Sequence, residues 1–426
     1  MSQTLTLLIL ISSFLIGCSK QASVTVVVVS PEKGAVPTSE PPEYETLPIP
    51  RELPRRSPDE SLAAGVAYLL ARQSADGAWR SDLYATFKDG LALTPLVVDA
   101  LQVAAAAGVE PVGSADARRK GIEFLARLAK PDGTIDPGPD GIDYPVYTAA
   151  LTVKVLSHAD GKDFRPSRDA WLKYLKERQL TVKLGWKEDE KQYGGWGYCR
   201  VIPQKPKPNE FAPNLIESNL SATVFALEAL DAAGALEPGT AKAAAVFVRS
   251  CQNWFAHAGA EEKTLDGGFH FIYDDPVRNK AGMGAKNEPS NLILSPEFNS
   301  YGSATADGLR ALDLCGSMDD QSRKVDARIW LSQNFRADTH PGIYNKAHET
   351  NRQAVYYYYA ASVAKVIREH EMKPVDIPDW ATSLANELSG RQKKDGSWVN
   401  PVELVRENEP LVATSNAVSA LARCKK

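Results

Sequence analysis

The stretch Gln392-Lys-Lys-Asp-Gly-Ser-Trp398 has a close copy in Gln73-Ser-Ala-Asp-Gly-Ala-Trp79. In both copies a leucine lies four residues before the glutamine, and helix-forming sequence lies on both sides of the Gly-x-Trp turn. Two helices joined by a glycine-containing turn form a helical hairpin. Because the two copies lie near opposite ends of the chain, the sequence predicts a repeat that runs through it.

Four weaker copies lie between these two. Gln179 and Gln252 lead to their turns by longer routes, Gln333 is the predicted glutamine of the fifth copy, and the second copy keeps only its leucine and its glycine turn. The last residues of the six turns are Trp79, Ile135, Trp196, Phe269, Tyr344 and Trp398, spaced 54 to 75 residues apart. This period predicts an array in which each unit buries its apolar face on its neighbours.

The second helix of each unit is apolar on nearly every side, whereas the first helix has one polar face, as at 168–178. A helix that is apolar all round belongs inside the protein. The six apolar helices are predicted at 91–107, 144–158, 220–233, 303–315, 352–367 and 414–424. We therefore expect an all-α fold, in which a closed inner ring of six helices is surrounded by six outer helices. An open superhelical solenoid is the alternative.

The Gln-x-x-x-Gly-x-Trp turns resemble the QW motifs of the squalene–hopene cyclase and protein prenyltransferase superfamily. The resemblance covers essentially all of residues 57–426 and implies the α/α-toroid fold, with six helical hairpins in an inner and an outer ring. In that family the glutamine caps the next helix and the tryptophan stacks on the turn. The resemblance therefore implies a structural role for Gln73, Trp79, Trp196, Gln392 and Trp398. Such motifs identify a fold rather than a reaction.

The catalytic groups of that superfamily are replaced in this chain. Where the cyclases have an Asp-x-Asp-Asp box, the third repeat has Ile216-Glu217-Ser218-Asn219, and the full box occurs nowhere in the sequence. The prenyltransferases hold zinc with an Asp-x-Cys pair and a distant histidine. Asp313-Leu314-Cys315 has that spacing but lies at the far end of its helix, and Ala360 lies near the position of the histidine. We expect no zinc site and no other cofactor.

Long links join each outer helix to the next inner helix, so the end of the barrel where the inner helices begin is the predicted functional end. Free amides at helix N-termini favour an anionic or polar group there. The candidate cavity residues are Tyr144, Tyr147, Asn219, Tyr301, Asn351 and Tyr356. Asp143 and Asp307 are the candidate acids. In the four consecutive tyrosines 356–359, one or two must face the lumen while the others pack between the rings.

The N-terminus predicts export. Residues 5–16 form an apolar stretch of 12 residues, shorter than the ~20 that a membrane-spanning helix needs. The stretch leads into Leu15-Ile16-Gly17-Cys18, which resembles a bacterial lipobox. We predict a lipoprotein signal peptide at 1–18 with lipidation at Cys18, a proline-rich linker at 19–56 and the toroid at 57–426. The mature protein is then held at a membrane, on the periplasmic side or at the cell surface.

The composition of the 426 residues, with 43% hydrophobic and 24% charged residues, is that of an ordinary globular protein. A net charge of −4 offers no electrostatic case for binding nucleic acid. The first functional hypothesis is a toroid that binds a hydrophobic or isoprenoid small molecule, or a partner, at its mouth. The second is a divergent cyclase with Asp143 or Asp307 as the acid. A third, a carbohydrate-active toroid, needs paired carboxylates.

The lumen discriminates between the first two hypotheses. A deep aromatic cavity with one desolvated carboxylate favours the enzyme. A lumen filled with side chains favours the binding protein.

Overall fold

Helices account for the regular structure of the described residues, which are 56–138, 141–159, 163–254, 265–273, 277–283 and 298–425 of the computed structural model. In this part of the chain only isolated β-bridges occur, and no strand is formed. The predicted signal peptide, its Cys18 and residues 19–55 of the predicted linker lie outside the described residues.

The helices alternate between two kinds, as the sequence predicts. The outer helices are α1 (Pro58–Ala71), α3 (Ser114–Ala126), α5 (Arg165–Lys176), α7 (Pro238–Ser250), α9 (Gln321–Asn334) and α12 (Trp380–Arg391). The inner helices are α2 (Leu93–Ala106), α4 (Pro145–Ser157), α6 (Leu220–Ala232), α8 (Gly302–Cys315), α11 (Tyr356–Glu369) and α13 (Pro410–Cys424). A single helical turn, α10 (Asn351–Ala354), precedes α11.

The inner helices form a closed ring. In chain order each one packs against the next, and α13 packs against α2 to complete the circle. Every residue from Gly302 to Leu312 in α8 is buried, whereas α5 buries only Ala170, Trp171, Leu172 and Leu175. The all-α toroid is therefore confirmed, and the open solenoid is wrong.

The turn glutamines join neighbouring outer helices. Gln73 Nε2 donates to the carbonyl of Gly77 in its own turn, at 2.9 Å, and to the carbonyl of Ala117 in α3, at 2.8 Å. In the same way Gln392 Nε2 donates to Ser61 O in α1, at 2.8 Å, so the last repeat is tied to the first. These glutamines bind a carbonyl in the next outer helix, whereas the family resemblance implies that they cap it.

The turn tryptophans join each outer helix to its inner partner. Trp79 Nε1 donates to Leu69 O at 2.7 Å, and the Trp79 amide donates to Thr94 Oγ1 in α2 at 3.0 Å. Trp196 and Trp398 repeat both bonds, and all three indoles are fully buried. Through these bonds each of the three tryptophans connects its outer helix to the following inner helix.

The fifth turn departs from the sequence prediction. Gln333 lies exposed within α9, and Phe335 rather than a glutamine follows four residues after Leu331. In its place Gly342 forms a β-bridge with Tyr301 at the start of α8. The sequence prediction selected Gln333 because it is a glutamine near the end of the outer helix. The sequence does not show that α9 continues past it to Asn334.

Candidate functional site

The mouth of the lumen, where the six inner helices begin, is lined by aromatic rings. Ring centroids are 5.9 Å apart for Tyr144 and Tyr198, 5.0 Å for Tyr147 and Phe225, and 6.3 Å for Phe225 and Tyr358. Such separations are typical of attractive aromatic pairs. The set that we call the aromatic layer is Phe87, Tyr144, Tyr147, Tyr198, Phe225 and Tyr358.

Charged side chains meet beyond these rings. Arg310 Nε donates to Glu228 Oε1 at 2.8 Å, and Arg310 Nη1 donates to Asp307 Oδ1 at 3.0 Å. Lys365 Nζ lies 2.7 Å from Glu228 Oε1. Glu228 belongs to α6 and Lys365 to α11, which are not neighbours in the ring, so this ion pair reaches across the lumen. We call Glu228, Asp307, Arg310 and Lys365 the charged layer.

Mutual pairing in the charged layer favours the ionised forms of Glu228 and Arg310. Burial acts to raise the pKa of Glu228, but Arg310 and Lys365 hold that pKa well below its usual value. Burial also acts to lower the pKa of Arg310, and the carboxylates of Glu228 and Asp307 raise it instead. Buried charges persist only when they are paired and hydrogen-bonded in this way.

Asp307, one of the candidate acids, is enclosed by donors. Its Oδ1 accepts hydrogen bonds from Ser362 Oγ at 2.7 Å and from Arg310. Its Oδ2 accepts from Tyr358 OH at 2.6 Å and from Ser221 Oγ at 3.2 Å. Burial raises the pKa of Asp307, and Arg310 opposes that rise. Four donors occupy the lone pairs of both oxygens, so none is left open towards a ligand.

Asp143, the other candidate acid, lies on the rim of the mouth. Its carboxylate forms an ion pair with Arg200, and its carbonyl accepts from Thr148 Oγ1 at 3.1 Å. Tyr144, which follows it, precedes α4 with a φ of 48° and turns its half-buried ring towards Tyr198. Asp143 is therefore a half-buried carboxylate that is paired with an arginine.

Three of the predicted cavity residues have structural contacts at helix starts instead. Asn219 caps α6, because its Oδ1 accepts from the Ala222 amide at 2.9 Å. Tyr301 precedes α8, and its ring packs on His340 with centroids 5.6 Å apart. Asn351 Nδ2 donates to a loop carbonyl at 3.1 Å. Of these three residues only Asn219 caps a helix, whereas Tyr301 packs on a histidine and Asn351 bonds to a neighbouring link.

The four consecutive tyrosines divide as their helical spacing requires. Tyr358 extends into the lumen and bonds to Asp307. Tyr356 donates to Ala337 O at 2.6 Å and lies under the guanidinium of Arg391 from α12, so this predicted cavity residue packs between the rings. Tyr359 donates to Arg336 O at 2.9 Å and is also buried away from the lumen.

The start of α11 is capped by a distant carboxylate. Glu407 Oε2 accepts from the Tyr357 amide at 3.0 Å, and its Oε1 accepts from the Tyr358 amide at 2.7 Å. Burial raises the pKa of Glu407 to about 7. Glu407 lies 50 residues after these amides, and no local sequence pattern indicates such a cap.

Other first-turn amides at the mouth are also occupied. Glu409 Oε1 accepts from the Leu411 amide of α13 at 3.2 Å. His340 Nε2 accepts from the Ser303 amide of α8 at 2.8 Å, and burial lowers the pKa of His340 to about 3, so its ring is neutral. In α6, α8, α11 and α13, side chains of the protein itself therefore accept hydrogen bonds from first-turn amides.

Sequence reasoning missed the charged residues of the inner helices. Glu228, Arg310 and Lys365 interrupt otherwise apolar helices. That interruption is a usable signal, because buried charges need partners from other elements. Tyr198 gives no such signal, because it lies in a long link without periodicity.

The described residues contain no group of three or more His, Cys, Asp and Glu side chains placed to hold a metal ion. Asp313 instead contacts His370 Nε2 at 2.9 Å and Lys324 Nζ at 3.5 Å. Burial raises the pKa of the Cys315 thiol to about 12, which disfavours the thiolate that zinc requires. Among the described helices, none has the length and apolar character needed to cross a bilayer.

A separate cleft of about 440 Å³ lies between the first two repeats. Asp89, Phe124, Arg127 and Asp136 are among its lining residues. Burial raises the pKa of Asp89.

No protein-family model matches the sequence, and a comparison with curated proteins finds no match either. Among solved structures, the ligand-free type II terpene cyclase MstE from Scytonema matches with a TM-score of 0.51 and 13% identity, over 86% of this chain and 97% of that one. A variant of the same cyclase, in complex with its substrate geranylgeranyl dihydroxybenzoate, matches with a TM-score of 0.52 and 13% identity over the same shares. At this identity the likeness shows the fold alone. The chain is an all-α toroid, with the fold of a type II terpene cyclase.

Proposed function

We propose that this chain is an exported, lipid-anchored toroid that binds an apolar small molecule at the mouth of its lumen and does not transform it. The observation that carries this proposal is the ion pair between Lys365 and Glu228, which places charged side chains from two non-adjacent inner helices across the lumen. A cyclase substrate that folds inside a toroid needs an open lumen, and this ion pair occupies part of it. The aromatic layer lies on the mouth side of this ion pair, and we propose that the ligand binds there.

The aromatic layer favours an apolar, unsaturated ligand. Its tyrosine and phenylalanine rings offer flat apolar faces, and such faces line most small-molecule sites. Tyr147 and Phe225 are half-buried, so part of each ring remains accessible. An isoprenoid chain fits this chemistry, and the fold resemblance to a terpene cyclase points to the same class of molecule.

Binding is tested with farnesol, a C15 isoprenoid alcohol, added to the full protein in detergent and detected by native mass spectrometry. Phe225→Ala removes one ring of the aromatic layer, and we expect about a tenfold loss of affinity. Phe124→Ala is the matched control, because Phe124 is an equally half-buried phenylalanine that lines the separate cleft. Loss of binding in Phe124→Ala alone would place the ligand in that cleft and contradict the proposal.

The alternative is a divergent cyclase that protonates its substrate with Asp307. The raised pKa of this buried carboxyl favours the alternative, whereas its four hydrogen-bond donors oppose it. Incubation with geranylgeraniol, followed by gas chromatography of the extract, decides between the two. Unchanged alcohol supports the binding protein; cyclised isomers that vanish in Asp307→Asn support the enzyme.

Lipid anchoring is tested by growth with labelled palmitate in a bacterium that processes lipoproteins. We expect label in the wild-type chain and none in Cys18→Ser. Cys315→Ser is the control and should retain the label, because Cys315 is the last residue of α8 and lies outside the predicted signal peptide. A labelled Cys18→Ser protein would show that the anchoring proposal is wrong.

A further inference from the structure

Arg406 occupies a strained position in the link between α12 and α13. Its φ is 67°, in the left-handed region that residues other than glycine rarely adopt. Such a conformation persists only where the surroundings impose it, and it is enriched at functional sites. Its amide donates to Glu403 O at 3.3 Å, and its carbonyl accepts from the Glu409 amide at 3.1 Å, which fixes the link on both sides.

The strained backbone directs the Arg406 side chain to the aromatic layer. Its guanidinium lies over the ring of Tyr84, 4.2 Å from the centroid, and although burial acts to lower the pKa of Arg406, the Tyr84 and Tyr144 hydroxyls raise it. Tyr84 is itself held in place by a hydrogen bond to Asn408 Oδ1 at 2.7 Å, and its ring packs on Phe87. The sixth repeat thus contributes a cation to an aromatic surface that the first and second repeats build.

Arg406 differs from the other cations around the mouth in its partners. Arg200 pairs with Asp143, Arg278 with Glu217 and Lys205 with Glu190. No carboxylate of the described residues forms an ion pair with Arg406, whose guanidinium lies over the ring of Tyr84. A half-buried guanidinium with aromatic neighbours keeps its planar set of donors available for an incoming anion.

We infer that Arg406 binds the anionic head group, a carboxylate or a phosphate, of a ligand whose apolar body lies on the aromatic layer. The inference rests on the proposed function and names the polar end of the same ligand. The anionic group is then recognised by a single side chain rather than by helix N-termini, because the first-turn amides described above already have acceptors. The site therefore selects an amphiphile with one acidic end over a neutral apolar molecule of the same length.

The test is a competition between farnesoic acid and farnesol, which share a C15 tail and differ only in the charge of the head. Both are added in equal amounts to the full protein in detergent at pH 8, and native mass spectrometry counts each bound species. A hydrogen-bonded ion pair to a guanidinium corresponds to a preference of about 10-fold or more for the acid. Farnesyl phosphate in place of the acid shows whether carboxylate and phosphate are accepted alike.

Variants of the mouth cations assign the preference to one side chain. In Arg406→Gln the preference for the acid over farnesol should fall to about 1. Arg406→Lys keeps the charge and should keep most of the preference, which shows that the loss in Arg406→Gln is not a loss of fold. Arg200→Gln removes a rim arginine that is already paired, and we expect the wild-type preference.

Each other outcome overturns one of the two proposals. Equal binding of acid and alcohol by the wild-type protein, or an unchanged preference in Arg406→Gln, overturns the role of Arg406 and leaves the binding function intact. Binding of neither molecule overturns the proposed function, and with it this inference.

Discussion

The aromatic layer and the charged layer lie in the same lumen but differ in how far their polar groups are paired within the protein. In the charged layer Arg310 pairs with two carboxylates, and every charge has a partner on another inner helix or one turn away. In the aromatic layer, rings meet edge to face, and Arg406 approaches them without a carboxylate partner. The charged layer therefore holds the inner ring together, whereas the aromatic layer keeps contacts available for a ligand.

The largest expected effect separates the two layers by stability. Arg310→Met leaves Asp307 and Glu228 buried without their shared cation, and we expect a loss of about 3–5 kcal/mol in the free energy of unfolding. Arg406→Gln is the control at the mouth and should cost less than about 1 kcal/mol. Urea denaturation of both variants measures the difference. Equal losses in the free energy of unfolding for the two variants would show that the two layers do not differ in their structural role.

A second expected effect concerns pH. Burial raises the pKa of Glu407 to about 7 in the folded protein, whereas in the unfolded chain it is near the ordinary glutamate value of 4.5. Between pH 5 and 8 the folded protein must release a proton that the unfolded chain has already lost, so stability falls as pH rises. We expect the wild-type protein to lose about 1–3 kcal/mol relative to Glu407→Gln over this range.

Denaturation curves at several pH values between 5 and 8 check this expectation. Asp76→Asn is the control, because the Arg80 side chain lowers the pKa of Asp76 to about 2 and keeps it ionised throughout. Its stability difference from wild type should stay constant. If the stability difference between wild type and Glu407→Gln is also constant over this range, Glu407 is ionised throughout. The mouth would then tolerate a buried charge more easily than we infer.

The smallest expected effect lies where the two layers meet. Tyr358→Phe removes the hydroxyl that donates to Asp307, and we expect a cost of about 1–2 kcal/mol because the acceptor is a buried carboxylate. Tyr147→Phe is the matched change within the aromatic layer, where no described group bonds to the hydroxyl, and should cost less than about 0.5 kcal/mol. Thermal unfolding compares them. A larger cost for Tyr147→Phe would show that the aromatic layer is structural.

The fold was predictable because its determinants are local. A turn such as Gln73 to Trp79 lies within seven residues, and the apolar helices are visible from their own composition. Each of the six inner helices predicted from the sequence lies within a few residues of an observed one. Where the local pattern is weak, the prediction was wrong. At Gln333 the sequence does not distinguish a residue in the last turn of a helix from the glutamine of the turn motif.

The site was predictable only in part, because its contacts join distant repeats. Sequence reasoning selected Asp307, Tyr144 and Tyr147, which lie in or next to the two layers. It also selected Asn219 and Tyr356, since a residue at the start of an inner helix can cap, pack outwards or face the lumen. Only the rotation of each helix in the assembled ring decides among these positions.

By itself the sequence determined the repeat, the two classes of helix and the turns that link them, because the signals for these features lie within each hairpin. Tertiary structure alone decided that Lys365 meets Glu228 across the lumen, that Glu407 caps α11 and that Arg406 reaches Tyr84. These contacts join residues 50 to more than 300 positions apart. Closure of the ring brings them together, and no property of either residue alone indicates its partner.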